Sequence, residues 1–328
     1  MTLRRSVWLC GLAAALAAAP ARAGEVDKYL PEDTEVLVSV NVRQIVDSDL
    51  FKKYALEQAR AALKDQEDVQ DVLKELGLDP FKDLDRVLVA KPSGGEQDRG
   101  LVIAYGRFDL DRLRAKADEA AKNQPDLVKI HKIPDGAGGK AVVYEVNVPN
   151  QPTPVFVALP NKETVLASTG KDYVVDALKK ETAKEKPALK NKDFQALLEK
   201  MDAKQAVSLA GVGSALTEGG LDEVKALFEK VEAVGGGVSI GDDIKIEVSV
   251  AAKSADDAKG LKETIGDDLK QARLLLTALT LVQSDPGLEL LLDVANSVRV
   301  SVKGKAVVVK ASVSADALEE ALKKDKNP

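Results

Sequence analysis

Cysteine, tryptophan and histidine each occur once in these 328 residues, as Cys10, Trp8 and His131. One thiol cannot close an internal disulfide or build a thiolate-rich metal site, and one imidazole is too few for the common zinc sites. Aromatic residues make up only 4% of the chain, five Tyr and six Phe beside the lone Trp, so a site that stacks rings on a sugar or aromatic ligand has little to draw on. Phe51, Phe81, Phe108, Phe156, Phe194 and Phe228 stand in apolar-periodic segments and are expected as core anchors. Long apolar runs are also scarce. Only Val7 to Ala19 qualifies, and thirteen residues at 1.5 Å each reach about 20 Å, short of the roughly 30 Å a membrane-spanning helix must cross.

That run has the layout of a secretory signal. Arg4 and Arg5 precede it, and Ala21-Arg22-Ala23 supplies the small residues of a cleavage site, so residues 1–23 are expected to be a signal peptide removed after Ala23. Leu9 stands where lipoprotein processing wants a small residue before Cys10, and Leu3, Val7 and Trp8 fit a twin-arginine signal poorly. The expected destination is periplasmic or extracellular, with no integral membrane segment in the mature chain. Cleavage would remove the only Cys, the only Trp and three Arg, leaving 44 basic against 53 acidic residues, a net charge of −9. An acidic, cysteine-free chain must be held by its core, and it lacks the basic stripes of a nucleic-acid partner.

Periodicity predicts an α+β fold. Val36 to Val42 alternates as a strand, a helical stretch runs from Ser48 to Leu76, and Gly77 and Asp79-Pro80 turn the chain into strands Arg86–Lys91 and Gly100–Arg107 around Ser93-Gly94-Gly95. A helix capped by Asp109 follows, then strands Val128–Ile133, Lys140–Asn147 and Pro154–Ala158 as an antiparallel meander. Past a Lys-, Pro- and Glu-rich linker, 183–192, the β-α-β-β-α order recurs. It runs through strand Ala206–Ala210, helix Ser214–Val231, hairpin Val234–Ile240 with Ile244–Val250, and a helix opening at Ser254. That helix keeps 3–4 spacing from Ala258 to Val282, with Gly266-Asp267-Asp268 as a break, and Asp285-Pro286 starts another. Hairpin Val298–Val302 with Val307–Val313 and a helix from Asp316 to Lys323 end the pattern. Leu30-Pro31 and Leu159-Pro160 echo each other before strands, as do Ser254-Ala255-Asp256 and Ser314-Ala315-Asp316 at helix starts. The reading is two related lobes, 24–185 and 186–328, each of β-α-β-β-α order with mostly antiparallel sheets packed against helices.

Candidate chemistry is sparse. His131, between Ile130 and Ile133, is expected to face solvent or a hydrogen-bonding partner. Asp83-Leu84-Asp85-Arg86 and Asp109-Leu110-Asp111-Arg112 repeat a tetrapeptide but lack the glycine and glutamate of a calcium hand, and read as turn and helix-start chemistry. Gly241-Asp242-Asp243 reads as a hairpin turn. Ser168-Thr169-Gly170-Lys171 fits Ser-x-x-Lys, in which a Lys one helical turn on activates a Ser, yet its companion motifs are missing and a helix cap at Ser168 or Thr169 explains it more simply. Gly211-Val212-Gly213 lacks the third glycine of a dinucleotide turn, Gly170-Lys171 lacks the rest of a phosphate loop, and Gly235-Gly236-Gly237 reads as a strand bend or bulge. No cofactor-binding or metal-ligating set emerges.

Leu30-Pro31-Glu32-Asp33-Thr34-Glu35-Val36-Leu37-Val38 and the later Gly77-Leu78-Asp79-Pro80-Phe81 resemble uncharacterised exported bacterial proteins whose mature chains begin Leu-Pro-x-Asp-Thr. The resemblance covers residues 30–120 and implies an exported α+β protein without assigned activity. The expected function is a soluble extracytoplasmic binding, scaffold or interaction protein with a protein or small-molecule partner. The alternative is an extracytoplasmic hydrolase using carboxylates or Ser168 with Lys171.

Overall fold

In the computed structural model the described residues are 26–92, 99–134, 139–148, 151–181, 188–202, 204–212, 215, 229–283 and 285–325. The expected signal peptide, the Ser93-Gly94-Gly95 turn, the first half of the 183–192 linker, Phe228 and most of the helix expected from Ser214 lie outside them. Where that helix was to end, Val231 instead opens a strand.

The valine-rich alternation of Thr34–Val40 forms β1. Helices α1 (Val42–Asp47), α2 (Leu56–Lys64), α3 (Glu67–Leu76) and α4 (Pro80–Asp83) follow, with a π-helical turn at Phe51–Ala55. The single helical stretch expected over 48–76 is therefore divided. Asn41 caps α1 by accepting from the Gln44 N–H, and α3 stops at Gly77, whose φ of 71° is the left-handed conformation that glycine adopts freely. Strands β2 (Leu84–Pro92) and β3 (Leu101–Gly106) lead to α5 (Leu110–Asn123), and then to β4 (Val128–Pro134), β5 (Lys140–Val146), β6 (Val155–Asn161) and β7 (Thr164–Ser168). Helices α6 (Lys171–Glu181) and α7 (Lys192–Leu198) precede β8 (Val207–Val212), β9 (Val231–Ile240) and β10 (Ile244–Ala252). The chain continues through α8 (Ala255–Val282), α9 (Pro286–Ser297), β11 (Arg299–Lys303), β12 (Ala306–Val313) and α10 (Ala315–Asp325). The fold is α+β with a large antiparallel sheet.

Among the described residues all twelve strands join one sheet in the order β11-β12-β10-β9-β8-β1-β2-β3-β7-β6-β5-β4, and every pairing is antiparallel. The meander expected over 128–158 is present as β4-β5-β6, and β7 extends it. Because side chains alternate along a strand, each cross-strand row shows what one face offers. On one face the row Val143, Ala158, Leu166, Ile103, Leu88 is apolar. It continues through Ser39, Ser208, Gly237, Glu247, Lys310 and Arg299, which are polar apart from the glycine. On the opposite face the row Tyr144, Val157, Ala167, Val102, Val89, Val38 stays apolar through Leu209, Gly236, Val248, Val309 and Val300.

The sheet accordingly buries different faces in its two halves. The Leu88 face carries the larger core, in which Leu37, Leu88, Ile103, Leu166 and Val143 pack with Tyr29 and Leu30, with Val174, Ala177 and Leu178 of α6, and with Phe194 and Leu198 of α7. This core reaches past residue 185 to include Leu189, Ala210 and Val212. The smaller core lies on the opposite face, where Val234, Ala252 and Val307 meet Ala258 and Leu261 of α8. Neighbouring residues of β9 serve the two cores: Ala233 packs against the first and Val234 against the second.

Gly235, Gly236 and Gly237 sit at this change of face. They are neither bend nor bulge, contrary to the sequence reading, since pairing runs regularly through Gly235↔Ser249, Gly236↔Val248 and Gly237↔Glu247. The reason for glycine is close approach: a Cβ would lie 2.9 Å from Leu197 Cδ1 at Gly235, 2.3 Å from the Glu247 carbonyl oxygen at Gly236 and 2.4 Å from Gln205 Oε1 at Gly237. The helix break expected at Gly266 is also absent, because α8 runs unbroken for 28 residues. One glycine costs about 1 kcal/mol, which the rest of so long a helix absorbs. Of the phenylalanines, Phe108 and Phe194 are buried, while Phe51, Phe81 and Phe156 are half-buried.

Candidate interaction surface

α8 begins as a well-anchored helix. Ser254 caps it, accepting from the Asp257 N–H at 3.0 Å, with Asp256 and Asp257 in the first turn where the helix dipole favours negative charge. Ala258 and Leu261 are buried, and Ile265 packs against the same smaller core. The helix then outruns its support. Twenty-eight residues extend roughly 42 Å at 1.5 Å per residue, whereas the strands beneath, of five to nine residues, extend roughly 17–30 Å.

Arg273 marks where the overhang starts. Its Nε and Nη2 donate to the Ala295 carbonyl at 3.0 and 2.8 Å, and Nη2 also reaches the Val298 carbonyl at 3.3 Å. A cation thus satisfies the carbonyls left open at the C-terminal end of α9 and fastens the two helices into an antiparallel hairpin. At its far end, Asp285 caps α9, accepting from the Gly287 and Leu288 N–H groups at 2.7 and 3.3 Å, with Pro286 in the first turn.

Between clamp and cap the surface is apolar. Leu274 is 73% exposed, Leu275 61%, Leu281 and Val282 83% each, and Leu291 on α9 54%. Burying such a side chain is worth roughly 1.5–3 kcal/mol, so several adjacent ones left in water mark a surface that gains by being covered. Periodicity hid this surface, because spacing from Ala258 to Val282 reads as one amphipathic stripe. The usable signal is the stretch Leu274-Leu275-Leu276-Thr277-Ala278-Leu279-Thr280-Leu281-Val282, uncharged on all sides and mostly aliphatic, which a one-sided surface helix does not need.

The residues singled out by sequence lie elsewhere and are not brought together. Ser168 is 5% exposed, its hydroxyl donating to the Gly100 carbonyl at 2.5 Å and accepting from the Gly170 N–H at 2.9 Å. Lys171 Nζ lies 5.9 Å from the centre of the Phe156 ring. His131 Nε2 is 2.8 Å from Glu145 Oε2, and that carboxyl is held below its usual range by His131 first and Lys129 second. Asp83 accepts from the Asp79 N–H at 2.7 Å, Asp85 pairs with Arg43 Nε at 3.0 Å, and Asp109 caps α5 through the Arg112 N–H at 3.0 Å. Gly241-Asp242-Asp243 lies in the connection of the β9–β10 hairpin. Gly211 and Val212 are strand residues of β8, while Gly213 lies outside the described residues. No group of three or more His, Cys, Asp or Glu among the described residues could hold a metal.

Two further polar regions have geometry of their own. A groove of about 650 Å³ lies on the Leu88 face beside α7, lined by Lys200, Gln205, Lys245, Glu247, Arg299 and Lys310 among others. There Lys310 pairs with Glu247 at 2.8 Å, and Arg299 Nη1 donates to the Asn296 and Val298 carbonyls at 2.7 and 2.9 Å. The second region contains four of the five tyrosine–carboxylate pairs. Every tyrosine of the chain donates to a carboxylate: Tyr29 to Glu181, Tyr54 to Glu319, Tyr105 to Asp27, Tyr144 to Asp118 and Tyr173 to Asp33. Burial, then Asp33, pushes the Tyr173 phenol up to about 12, and burial with the Asp27 charge raises Tyr105 further. Burial would raise Glu181, but hydrogen bonds from Lys28, Tyr29 and Asn161 prevail and hold it low.

No family model matches the chain, and no curated protein matches it. Among solved structures it is similar to crystal form I of TP0453, with 10% identity and a TM-score of 0.44 over 93% of this chain and 99% of that one. Crystal form IV of TP0453 gives 11% identity and a TM-score of 0.44 over 90% and 97%. No described helix is long and apolar enough to cross a membrane.

Proposed function

We propose that this chain is an exported binding or scaffold protein that engages its partner through the overhanging α8–α9 hairpin. The observation that carries the reading is the exposure of Leu274, Leu275, Leu281 and Val282 beyond the Arg273 clamp. Export rests on the signal-like residues 1–23. The hydrolase reading draws no support from Ser168, whose hydroxyl is occupied by two backbone partners.

Duplication belongs to the same proposal. Outward from the central β1–β8 pair the sheet reads β1-β2-β3-β7-β6 on one side and β8-β9-β10-β12-β11 on the other, with β5-β4 added to the first. In each half a hairpin precedes a helix twice: β2-β3 before α5 and β6-β7 before α6, then β9-β10 before α8 and β11-β12 before α10.

A photo-crosslinking residue placed at Leu281 in the cells that make the protein tests the interaction reading, with the same residue at Lys259, 70% exposed on the same helix, as control. A discrete adduct at Leu281 and none at Lys259 is expected. Equal or absent adducts at both positions overturn it.

A further inference from the structure

Resting on that interaction reading, we infer that the hairpin's partner is a second copy of this chain, two α8 tips packing antiparallel about a two-fold axis passing between residues 277 and 278. Gln271, Leu274, Ala278 and Leu281 follow one another at intervals of three, four and three residues, the spacing of a helix–helix seam. Leu274 and Leu281 are the exposed leucines of that seam, and Ala278 between them leaves room for two backbones to approach. An isologous contact needs one self-complementary patch, and this one meets the condition in spacing and charge.

The charges set the direction. Lys270 stands one turn before Leu274, and Asp285, the cap of α9, stands in the connection just past the end of α8. Antiparallel pairing brings Leu274 of each copy beside Leu281 of the other and Lys270 toward Asp285 of the other. Parallel pairing would set Lys270 against Lys270. Among the described residues Lys270 pairs with an exposed neighbour on its own helix, Asp267 at 2.8 Å, a contact that water keeps weak and exchangeable. The charges also disfavour an anionic lipid surface. No Lys or Arg occurs from Leu274 to Val298, whereas Asp285, Glu289 and Asp293 do, and Arg273 is engaged by backbone carbonyls.

The cysteine-free chain from Gly24 onward makes the arrangement testable by sedimentation velocity and site-specific crosslinking. A reversible monomer–dimer equilibrium is expected, and Leu274→Lys with Leu281→Lys should weaken it about thirty-fold or more, as loss of a central apolar contact does, with unchanged circular dichroism. With a short bis-maleimide, Ala278→Cys should crosslink to itself and Lys270→Cys should not. A mixture of Lys270→Cys and Asp285→Cys chains should crosslink as a heterodimer. A chain that stays monomeric to high micromolar concentration overturns the inference, as does self-crosslinking of Lys270→Cys equal to that of Ala278→Cys. A monomer that floats with phosphatidylcholine vesicles through the same leucines also overturns it. In the monomer cases Leu281 photo-adducts would still be found if the interaction reading holds, so the two can fail separately.

Discussion

The two halves of the sheet use the same cross-strand rows in opposite ways. In the first half the Leu88 face is covered by α6, with α7 over β8 and β9 at its border, and Tyr29, Leu30, Leu88, Leu101, Ile103, Leu166 and Phe194 are all at most 1% exposed. In the second half that face turns polar and α8 covers the other, over a core of six buried residues among those described, two of them alanine. The first half is further tied by Tyr29, Tyr105 and Tyr173 to carboxylates far away in sequence. What the contrast teaches is where spare apolar surface goes: the better-cored half keeps its helices on the sheet, and the thinly cored half extends one beyond it.

The largest effects should come from the cores themselves. Leu166→Ala should cost about 2–5 kcal/mol in urea unfolding, as buried leucine truncations do, and Leu261→Ala should lie at the lower end of that range because its smaller surroundings can collapse. If Leu261→Ala cost as much as Leu166→Ala, the difference between the halves would not hold. A smaller effect concerns pH. Glu181 titrates below its unfolded value, so its contribution is present above the ordinary carboxylate range near pH 4.3 and is lost as pH falls through the lower folded value. Glu181→Gln should therefore flatten the acid limb of stability against pH, by about 1–2 kcal/mol at neutral pH. An acid limb as steep as the parent's would remove Glu181 from the tie. The smallest effect, about 1 kcal/mol, is expected for Ser254→Ala, which deletes the cap of α8. Hydrogen exchange should show that loss in the second half only; a shift spread evenly over both halves would mean that they unfold as one unit.

Much of this architecture was legible in the residues. Strand alternation at Val36–Val40, the meander over 128–158 and the caps at Asp109, Ser254 and Asp285 follow from local chemistry, which short windows record. What was not legible depends on distant partners. Nothing near Gly235-Gly236-Gly237 says that Leu197 and Gln205 descend onto that strand, so three glycines read as a bulge. Nothing near Gly266 says that the helix continues, because continuation depends on helix forming on both sides of it. The candidate surface failed to stand out for the same reason: the 3–4 spacing of α8 continues beyond Leu269, while the sheet that would absorb it does not. Ser168 and Lys171 carried a recognisable motif, yet the Gly100 carbonyl that occupies the serine comes from another strand.

The central β1–β8 pair has a consequence in time. β8 lies about 170 residues after β1, and at about 5–20 residues per second of synthesis β1 waits roughly ten to thirty seconds for its neighbour. Until then Val36, Leu37, Val38 and Val40 form the open edge of whatever sheet has already assembled, a short, valine-rich and weakly charged strand of the kind that recruits strands from other chains. The link that joins the halves in the finished molecule thus stays open until β8 has been made, and until then the nascent chain is exposed to misassembly at its own centre.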